Sequence, residues 1–120
     1  MPKTILLVDD SPAHLKLMEQ ALAGKEYEFL TAADGEEAIA RAERQHPDLI
    51  LLDVVLPKKN GYQVCRQLKS GAGTKGIPII LVTSRTQESD RYWGMKQGAD
   101  GYVTKPFRPQ DLLAAVESKL

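Results

Sequence analysis

Near its start the chain carries the segment Thr4-Ile5-Leu6-Leu7-Val8-Asp9-Asp10, in which an apolar run suited to a buried strand ends in two acidic residues. The same pattern recurs where later apolar runs lead to Asp53, to Thr83-Ser84 and to Lys105-Pro106. In an open parallel sheet the carboxyl ends of the strands share one edge, and ligands bind at that edge. The sequence therefore predicts one site that combines three carboxylates, a hydroxyl and an amine.

Length and composition limit the class of protein. The chain has 120 residues, a common size for one domain, and its 16 basic and 16 acidic residues give zero formal charge. That balance gives no bulk electrostatic reason to bind nucleic acid or a membrane surface. Cys65 is the only cysteine, which excludes an intrachain disulfide and fits a reducing cytoplasm. The first apolar run is too short for a signal peptide or a membrane span. We therefore expect a single domain over residues 1–120 of a cytoplasmic protein.

Strand-like and helix-like patterns alternate along the whole chain. Ser11-Pro12 is typical of an N-cap followed by proline at the first helical position, and Gly24 is the predicted stop of that helix. Strands are predicted over 5–8, 27–32, 49–52, 77–82 and 100–104, and helices over 12–23, 36–45, 61–70, 86–97 and 109–120. Five βα units in succession predict an α/β fold, with a parallel sheet covered by helices on both faces.

The predicted grouping of Asp9, Asp10 and Asp53 suggests a metal site. Three neighbouring carboxylates repel one another unless a cation joins them, and a small all-oxygen ligand set favours Mg²⁺. The alternative is that Asp9 and Asp10 only solvate a loop and favour the N-terminus of the next helix. Because Asp53 and Lys105 stand at matching strand ends, the pattern favours the metal site.

Asp53 stands alone at the end of an apolar strand, where a carboxylate can attack phosphorus and form an aspartyl phosphate. Such a transfer depends on positioning and charge neutralisation, which a metal and the ammonium of Lys105 would supply. Thr83 is placed to donate its hydroxyl to a phosphoryl oxygen. The simpler alternatives are a turn residue for Asp53, a solvated lysine for Lys105, and a helix N-cap for Thr83 or Ser84.

Several other kinds of site find no support in the sequence. His14 and His46 have no carboxylate or cysteine partner at ligand spacing, so we expect no zinc site. Neither a glycine-rich phosphate-binding motif nor a nucleophile elbow occurs, so nucleotide binding and a hydrolase triad are not indicated. For the Lys105–Pro106 peptide bond, the trans form is the default expectation.

Taken in order, these motifs resemble those of a known family, the receiver domains of two-component response regulators of the chemotaxis type. The matching segments are Leu7-Val8-Asp9-Asp10-Ser11, Asp53-Val54-Val55-Leu56-Pro57 with Gly61, Thr83-Ser84, and Gly98-Ala99 leading to Lys105-Pro106-Phe107. The resemblance spans essentially the whole chain. It implies a flavodoxin-like, doubly wound (βα)5 fold with a five-stranded parallel sheet in the order 2-1-3-4-5.

The resemblance also implies roles for individual residues of the site. Asp53 would accept a phosphoryl group from a sensor histidine kinase or a hybrid kinase. Asp9, Asp10, Asp53 and the backbone carbonyl of Val55 would bind Mg²⁺, with Asp9 acting largely through water. Lys105 would sense the phosphoryl group.

The switch and the output surface are implied in the same way. Thr83 and Tyr102 resemble the family's switch pair, in which the hydroxyl moves to the phosphoryl group and the aromatic ring turns inward. Output would pass through the fourth helix, fifth strand and fifth helix to a downstream protein target. Segment 87–94 also resembles regulators of twitching motility. The predicted partner surface consists of Arg91, Trp93, Met95 and Tyr102.

Two positions depart from common versions of the family. The pair Lys58-Lys59 makes its loop more basic than is usual, which favours an anionic donor or partner. Val55 and Arg85 occupy positions at which the family tunes dephosphorylation, and Val55 offers no side-chain hydrogen bond to position water, so the lifetime of the phosphoryl group stays open.

Two rival functions stay open at this point. A small phosphatase or phosphotransferase would use the same Asp53 intermediate but turn over a phosphate ester, whereas a switch stops after one phosphoryl group. A passive scaffold is disfavoured by the complete set of site residues. The chain stops after the predicted fifth helix, which is compatible with a stand-alone regulator or with a receiver from a longer protein. We expect a monomer or a weak phosphorylation-dependent dimer, with no nucleic acid bound by this domain and no membrane contact.

Overall fold

The computed structural model of the protein describes residues 2–120. Within that range strands and helices alternate without exception. The strands are β1 (Lys3–Val8), β2 (Tyr27–Ala32), β3 (Leu49–Leu52), β4 (Ile79–Thr83) and β5 (Gly101–Thr104), and the helices are α1 (Pro12–Ala21), α2 (Gly35–Gln45), α3 (Gly61–Ser70), α4 (Glu88–Lys96) and α5 (Pro109–Glu117).

All the strands pair in parallel in the order β2-β1-β3-β4-β5, which confirms the predicted sheet and its (βα)5 arrangement. The strand order reverses at β1, because this strand pairs with both β2 and β3. In the β1–β3 register Val8 lies opposite Leu52. The next residue of each strand, Asp9 and Asp53, therefore emerges side by side at the switch point, where open α/β sheets bind ligands.

Apolar side chains bury both faces of the sheet. Every residue of β3 is buried, and alternate residues enter opposite layers of the core. Ile50 and Leu52 pack in the layer that contains α2 and α3, whereas Leu49 and Leu51 pack in the layer that contains α1 and α5. A continuous apolar strand is expected where helices cover both faces. In the part of the chain that the structure describes, no helix has the length and apolarity needed to cross a bilayer.

The predicted end of α1 is wrong, although its start is confirmed. The Ser11 hydroxyl accepts a hydrogen bond from His14 N at 3.3 Å, which is the predicted cap. The helix ends at Ala21 and does not reach Gly24, because Leu22 leaves helical geometry with φ -106° and ψ 4°. The side chain of Leu22 is fully buried. The helix therefore ends two residues before the predicted bound, with Leu22 as its C-cap residue.

The predicted bounds of β4, β5 and α5 also need correction. β4 begins at Ile79, since Pro78 has no amide hydrogen to give to the ladder. Asp100 lies outside β5, where its carboxylate accepts a hydrogen bond from Ile79 N at 2.8 Å. The Asp100 amide also donates to Ile79 O at 2.7 Å, so Asp100 pairs with Ile79 through one backbone and one side-chain contact, and β5 begins at Gly101. Helix α5 ends at Glu117, before the chain terminus.

Helix α4 begins later than predicted. Gln87 is its N-cap residue, and the Asp90 carboxylate accepts a hydrogen bond from Gln87 N at 3.3 Å. The predicted start at Thr86 is therefore wrong, and so is the alternative that Thr83 or Ser84 caps this helix. The segment 84–87 is a loop between the strand and the helix. Because this loop separates the end of β4 from α4, Thr83 can contribute to the site.

Candidate functional site

The site lies at the carboxyl edge of the sheet, as the strand ends predict. Asp9 follows β1 and its amide donates to Ala32 O at 3.1 Å, while Asp53 follows β3 and its amide donates to Val8 O at 3.0 Å. Thr83 closes β4 and Lys105 follows β5. Asp9 is 1% exposed and Asp53 is 8% exposed, so both carboxylates are withdrawn from bulk water.

The ammonium of Lys105 joins the two buried carboxylates. Its Nζ donates hydrogen bonds to Asp9 Oδ2 and, at 3.1 Å, to Asp53 Oδ2. The Lys105 side chain is only 10% exposed. Buried carboxylates repel unless a cation compensates them. One cationic group shared by both carboxylates therefore holds the centre of the site together.

The second oxygen of each carboxylate is held by backbone. Asp9 Oδ1 accepts from Ser11 N at 2.9 Å, and Asp53 Oδ1 accepts from Val55 N at 3.3 Å. Each acidic residue thus turns one oxygen toward its own following loop and the other toward Lys105. This division leaves Asp53 Oδ2 as the oxygen that faces the shared cationic centre.

Asp10 differs from the other two carboxylates in its exposure to solvent. Among residues 2–120 no group of three histidine, cysteine or acidic side chains is placed to hold a metal ion in this arrangement, in which the Lys105 ammonium compensates Asp9 and Asp53. The role of Asp10 as a metal ligand therefore stays a prediction.

His14 belongs to the site, contrary to the prediction that it has no carboxylate partner. Its Nδ1 lies 3.0 Å from Lys105 Nζ and 3.4 Å from Asp9 Oδ2. Sequence spacing gives no sign of this approach, because the first turn of α1 brings the ring back over the strand end. The Lys105–Pro106 peptide bond is cis, so the default expectation of a trans bond is also wrong.

Thr83 is fully buried at the end of β4. Its hydroxyl oxygen accepts a weak hydrogen bond from Arg85 N at 3.4 Å, within the loop that leads to α4. This long contact uses the hydroxyl oxygen as an acceptor and does not use the hydroxyl hydrogen. The hydroxyl thus stands between the site and the start of α4.

Tyr102 is buried, with 8% of its surface exposed, and its hydroxyl donates to Arg85 O at 2.8 Å. The ring lies inward in this structure, and its inward turn on activation stays a prediction. Helix α4 covers the ring, since the guanidinium of Arg91 lies 5.5 Å from the ring centroid. The predicted place of Tyr102 on the partner surface also stays a prediction.

The buried hydroxyl of Tyr102 predicts a pH dependence of stability. Burial raises the pKa of Tyr102 from 10.0 to about 12, and the neighbouring Tyr62 and Asp90 add to the rise. The fold keeps the proton above pH 10 whereas the unfolded chain loses it, so stability falls as the pH rises from about 10 to about 12. We expect Tyr102→Phe to show a shallower alkaline loss than the wild type in urea unfolding at a series of pH values. Equal slopes would contradict the assignment.

The predicted partner surface on α4 divides between two sides of the helix. Arg91 and Met95 are exposed and stand four residues apart on one side. Trp93 is 52% exposed and faces α3, where it lines a cavity of about 380 Å³ together with Arg66 and Lys96. The residues predicted as one surface therefore do not form one face.

The basic pair in the β3–α3 loop is engaged within the chain. Lys58 adopts a left-handed backbone with φ 68°, and its Nζ lies 3.7 Å from Asp34 Oδ2. Lys59 Nζ donates to Gln67 Oε1 at 2.8 Å. Both cationic groups therefore have partners already, which weakens the expectation that this loop attracts an anionic donor.

Residues 5–117 match the family of response regulator receiver domains. The chain belongs to this family. It is 40% identical to the protein PilH of Pseudomonas aeruginosa over 116 residues, which is 97% of this chain and 96% of PilH. It is 43% identical to the alkaline phosphatase synthesis transcriptional regulatory protein PhoP of Bacillus subtilis over 120 residues, where it spans 49% of the relative. The chain is thus about as long as PilH and about half as long as PhoP.

Solved structures agree with the fold. A crystal structure of a response regulator from Chloroflexus aurantiacus superposes with a TM-score of 0.95 at 36% identity, covering 99% of this chain and 98% of the other. The receiver domain of the sensor histidine kinase PA1611 of Pseudomonas aeruginosa, crystallised with a magnesium ion in its active-site cleft, superposes with a TM-score of 0.90 at 32% identity, covering 98% and 97%. The family is that of the phosphorylation-activated regulators of two-component signal transduction.

Proposed function

We propose that this chain acts as a single receiver domain over residues 1–120 and that Asp53 is its phosphoacceptor. The observation that carries the proposal is the convergence of Asp9 Oδ2 and Asp53 Oδ2 on the ammonium of Lys105, at the switch point of the sheet. This arrangement joins an acceptor oxygen to a fixed positive charge and excludes bulk water. Phosphoryl transfer depends mainly on positioning and on charge neutralisation, which this arrangement supplies.

The reaction is a displacement at phosphorus. Asp53 Oδ2 forms the new bond to phosphorus, the bond from phosphorus to the donor atom breaks, and the donor atom keeps that electron pair. The ammonium of Lys105 then exchanges a carboxylate oxygen for a phosphoryl oxygen, so its charge stays compensated throughout. The other carboxylate oxygen of Asp53 keeps its hydrogen bond to Val55 N, which fixes the direction of attack.

The donor set also suits a divalent cation. Asp9 Oδ2 and Asp53 Oδ2 already share one cationic group, the Lys105 ammonium, and all-oxygen ligands favour Mg²⁺. We propose that Asp9, Asp10, Asp53 and the backbone carbonyl of Val55 hold Mg²⁺. When bound, the ion neutralises charge on the phosphoryl oxygens. The magnesium-containing receiver domain of PA1611 supports this assignment by its similarity to the present chain.

Signal output is proposed to begin at Thr83. Its hydroxyl oxygen accepts from Arg85 N, and its hydroxyl hydrogen would be donated to a phosphoryl oxygen, so a shift of Thr83 toward the phosphoryl group moves the loop before α4. The altered face of α4, β5 and α5, with Arg91 and Met95 exposed on it, then binds a downstream protein target. The shift is one of population, because the phosphoryl contacts exist only in the active arrangement. Trp93 would contact a partner from the α3 side of the same helix.

The proposed partners follow from the family. A sensor histidine kinase or hybrid kinase supplies the phosphoryl group, and the receiver acts in the cytoplasm as a monomer or as a weak dimer that forms on phosphorylation. The domain is proposed to act through protein contacts, without binding nucleic acid and without turnover of a substrate.

The test is intact mass spectrometry after incubation with Mg²⁺ and acetyl phosphate. We expect one phosphoryl adduct on the wild type, no adduct on Asp53→Asn, and none on the wild type when EDTA replaces Mg²⁺. Asp48→Asn is the matched control, because Asp48 is an exposed acidic residue whose carboxylate only accepts from Thr4 N. An adduct that survives in Asp53→Asn would refute the assignment. Continuous hydrolysis of acetyl phosphate without an adduct would favour a phosphatase.

A further inference from the structure

The loop before α4 and the first turn of that helix are tied at two points by tyrosine hydroxyls. Tyr102 on β5 donates to Arg85 O at 2.8 Å. Tyr62 on α3 donates to Asp90 O at 3.1 Å. The second contact comes from a different element and reaches a carbonyl inside the first turn of α4, so the two hydroxyls hold the start of α4 from two sides.

Tyr62 also follows directly on the segment that carries Asp53. Gly61 N donates to Val54 O at 2.8 Å, and a Cβ on Gly61 would lie 2.2 Å from Asp53 O. The first turn of α3 is therefore pressed against the backbone of the acceptor segment. A displacement of Asp53 and Val54 is therefore passed to Gly61 and from there to Tyr62, the next residue of α3.

The surroundings of Tyr62 keep its hydroxyl protonated as a donor. Burial raises the pKa of Tyr62, and the charge of Asp90 adds to the rise. The residue is partly buried, and it packs against the core layer that contains Tyr102. The ring thus fixes where the hydroxyl can point.

We infer that Tyr62 is a positioning residue of the switch, which couples the acceptor segment to the first turn of α4 through the hydrogen bond from its hydroxyl to Asp90 O. The inference rests on the proposed phosphorylation of Asp53 and adds a second connection to the one through Thr83. Phosphorylation acts on α4 from the β4 side through Thr83 and from the α3 side through Tyr62. Without the Tyr62 hydroxyl, the first turn of α4 opens more easily. A movement of the acceptor segment, residues 53–61, then changes the position of α4 less than in the wild type.

Amide hydrogen exchange tests the coupling. The amides of Asp90 and Arg91 both donate to Gln87 O, so their exchange reports opening of the first turn. Without ligand, we expect Tyr62→Phe to exchange these amides about fivefold faster than the wild type, as loss of a hydrogen bond of ordinary net strength predicts. The matched control is Tyr92→Phe, because Tyr92 is exposed on the same helix and its hydroxyl makes no hydrogen bond to residues 2–120.

The second arm uses Mg²⁺ with beryllium fluoride as a phosphoryl mimic. In the wild type we expect exchange to change in the acceptor segment 53–61 and in α4. In Tyr62→Phe we expect the same change in 53–61 and a smaller one in α4. Unchanged exchange at Asp90 and Arg91 without ligand, or an α4 response equal to that of the wild type, would overturn the inference. A wild type that responds nowhere would refute the proposed function, while the ligand-free arm still decides the role of Tyr62.

Discussion

Lys105→Met should lower the free energy of unfolding by about 3 kcal/mol in buffer free of divalent cations. The substitution keeps the length and apolar stem of the side chain but removes the ammonium that Asp9 and Asp53 share. Two neighbouring carboxylates, 1% and 8% exposed, would then face each other without compensation. Removing one partner of a buried ionic group costs more than the pair contributes, because the remaining charges stay desolvated.

Mg²⁺ should restore much of that loss. In the wild type the cation competes with an ammonium for the same oxygens, whereas in Lys105→Met it meets free carboxylates. Ligand binding to the folded state raises its stability, so we expect a larger gain with MgCl2 than in the wild type. Urea unfolding with EDTA and with MgCl2 measures both effects.

Lys58→Met is the matched control for Lys105→Met. Its ammonium makes an exposed ion pair with Asp34 at 3.7 Å, and exposed pairs contribute less than about 1 kcal/mol. Similar losses in the two variants, or no difference in the Mg²⁺ response, would show that the buried ammonium does not hold the centre of the site.

The sheet edge was predictable because its signal lies in contiguous residues. In β3 four apolar residues lead straight to Asp53, and in β1 an equally apolar run leads to Asp9. A parallel sheet brings such ends together whatever the detailed packing. The alternation of helices and strands predicted the layers in the same way, because the central strands β1, β3 and β4 bury side chains on both faces.

The failures concern contacts that depend on tertiary placement. His14 reaches Lys105 only because α1 returns over the sheet edge, and Trp93 faces α3 because of how α4 sits on the sheet. Helix ends were missed by a few residues, as at Leu22, because helix termini fray and carry a weak sequence signal. Spacing in the sequence carries none of this information.

Gly61→Ala should lower the free energy of unfolding by about 3 kcal/mol and also impair phosphorylation. An added Cβ would lie 2.2 Å from Asp53 O and 2.7 Å from Val54 Cα, both of them backbone atoms that cannot rotate away. The hydrogen bond from Gly61 N to Val54 O, 2.8 Å long, would have to lengthen as the two segments separate. The displaced atoms belong to the acceptor residue itself, so stability and acceptor geometry are lost together.

Gly76→Ala separates this effect from the general cost of replacing a glycine. A Cβ at Gly76 meets nothing within 4 Å, so we expect its stability to stay within about 0.5 kcal/mol of the wild type and its phosphorylation rate to be unchanged. Urea unfolding and the rate of adduct formation with acetyl phosphate are measured on both variants. If Gly61→Ala lost stability but formed the adduct at the wild-type rate, the close approach would serve packing alone. Joint loss in Gly61→Ala, with neither in Gly76→Ala, ties the first turn of α3 to the position of Asp53.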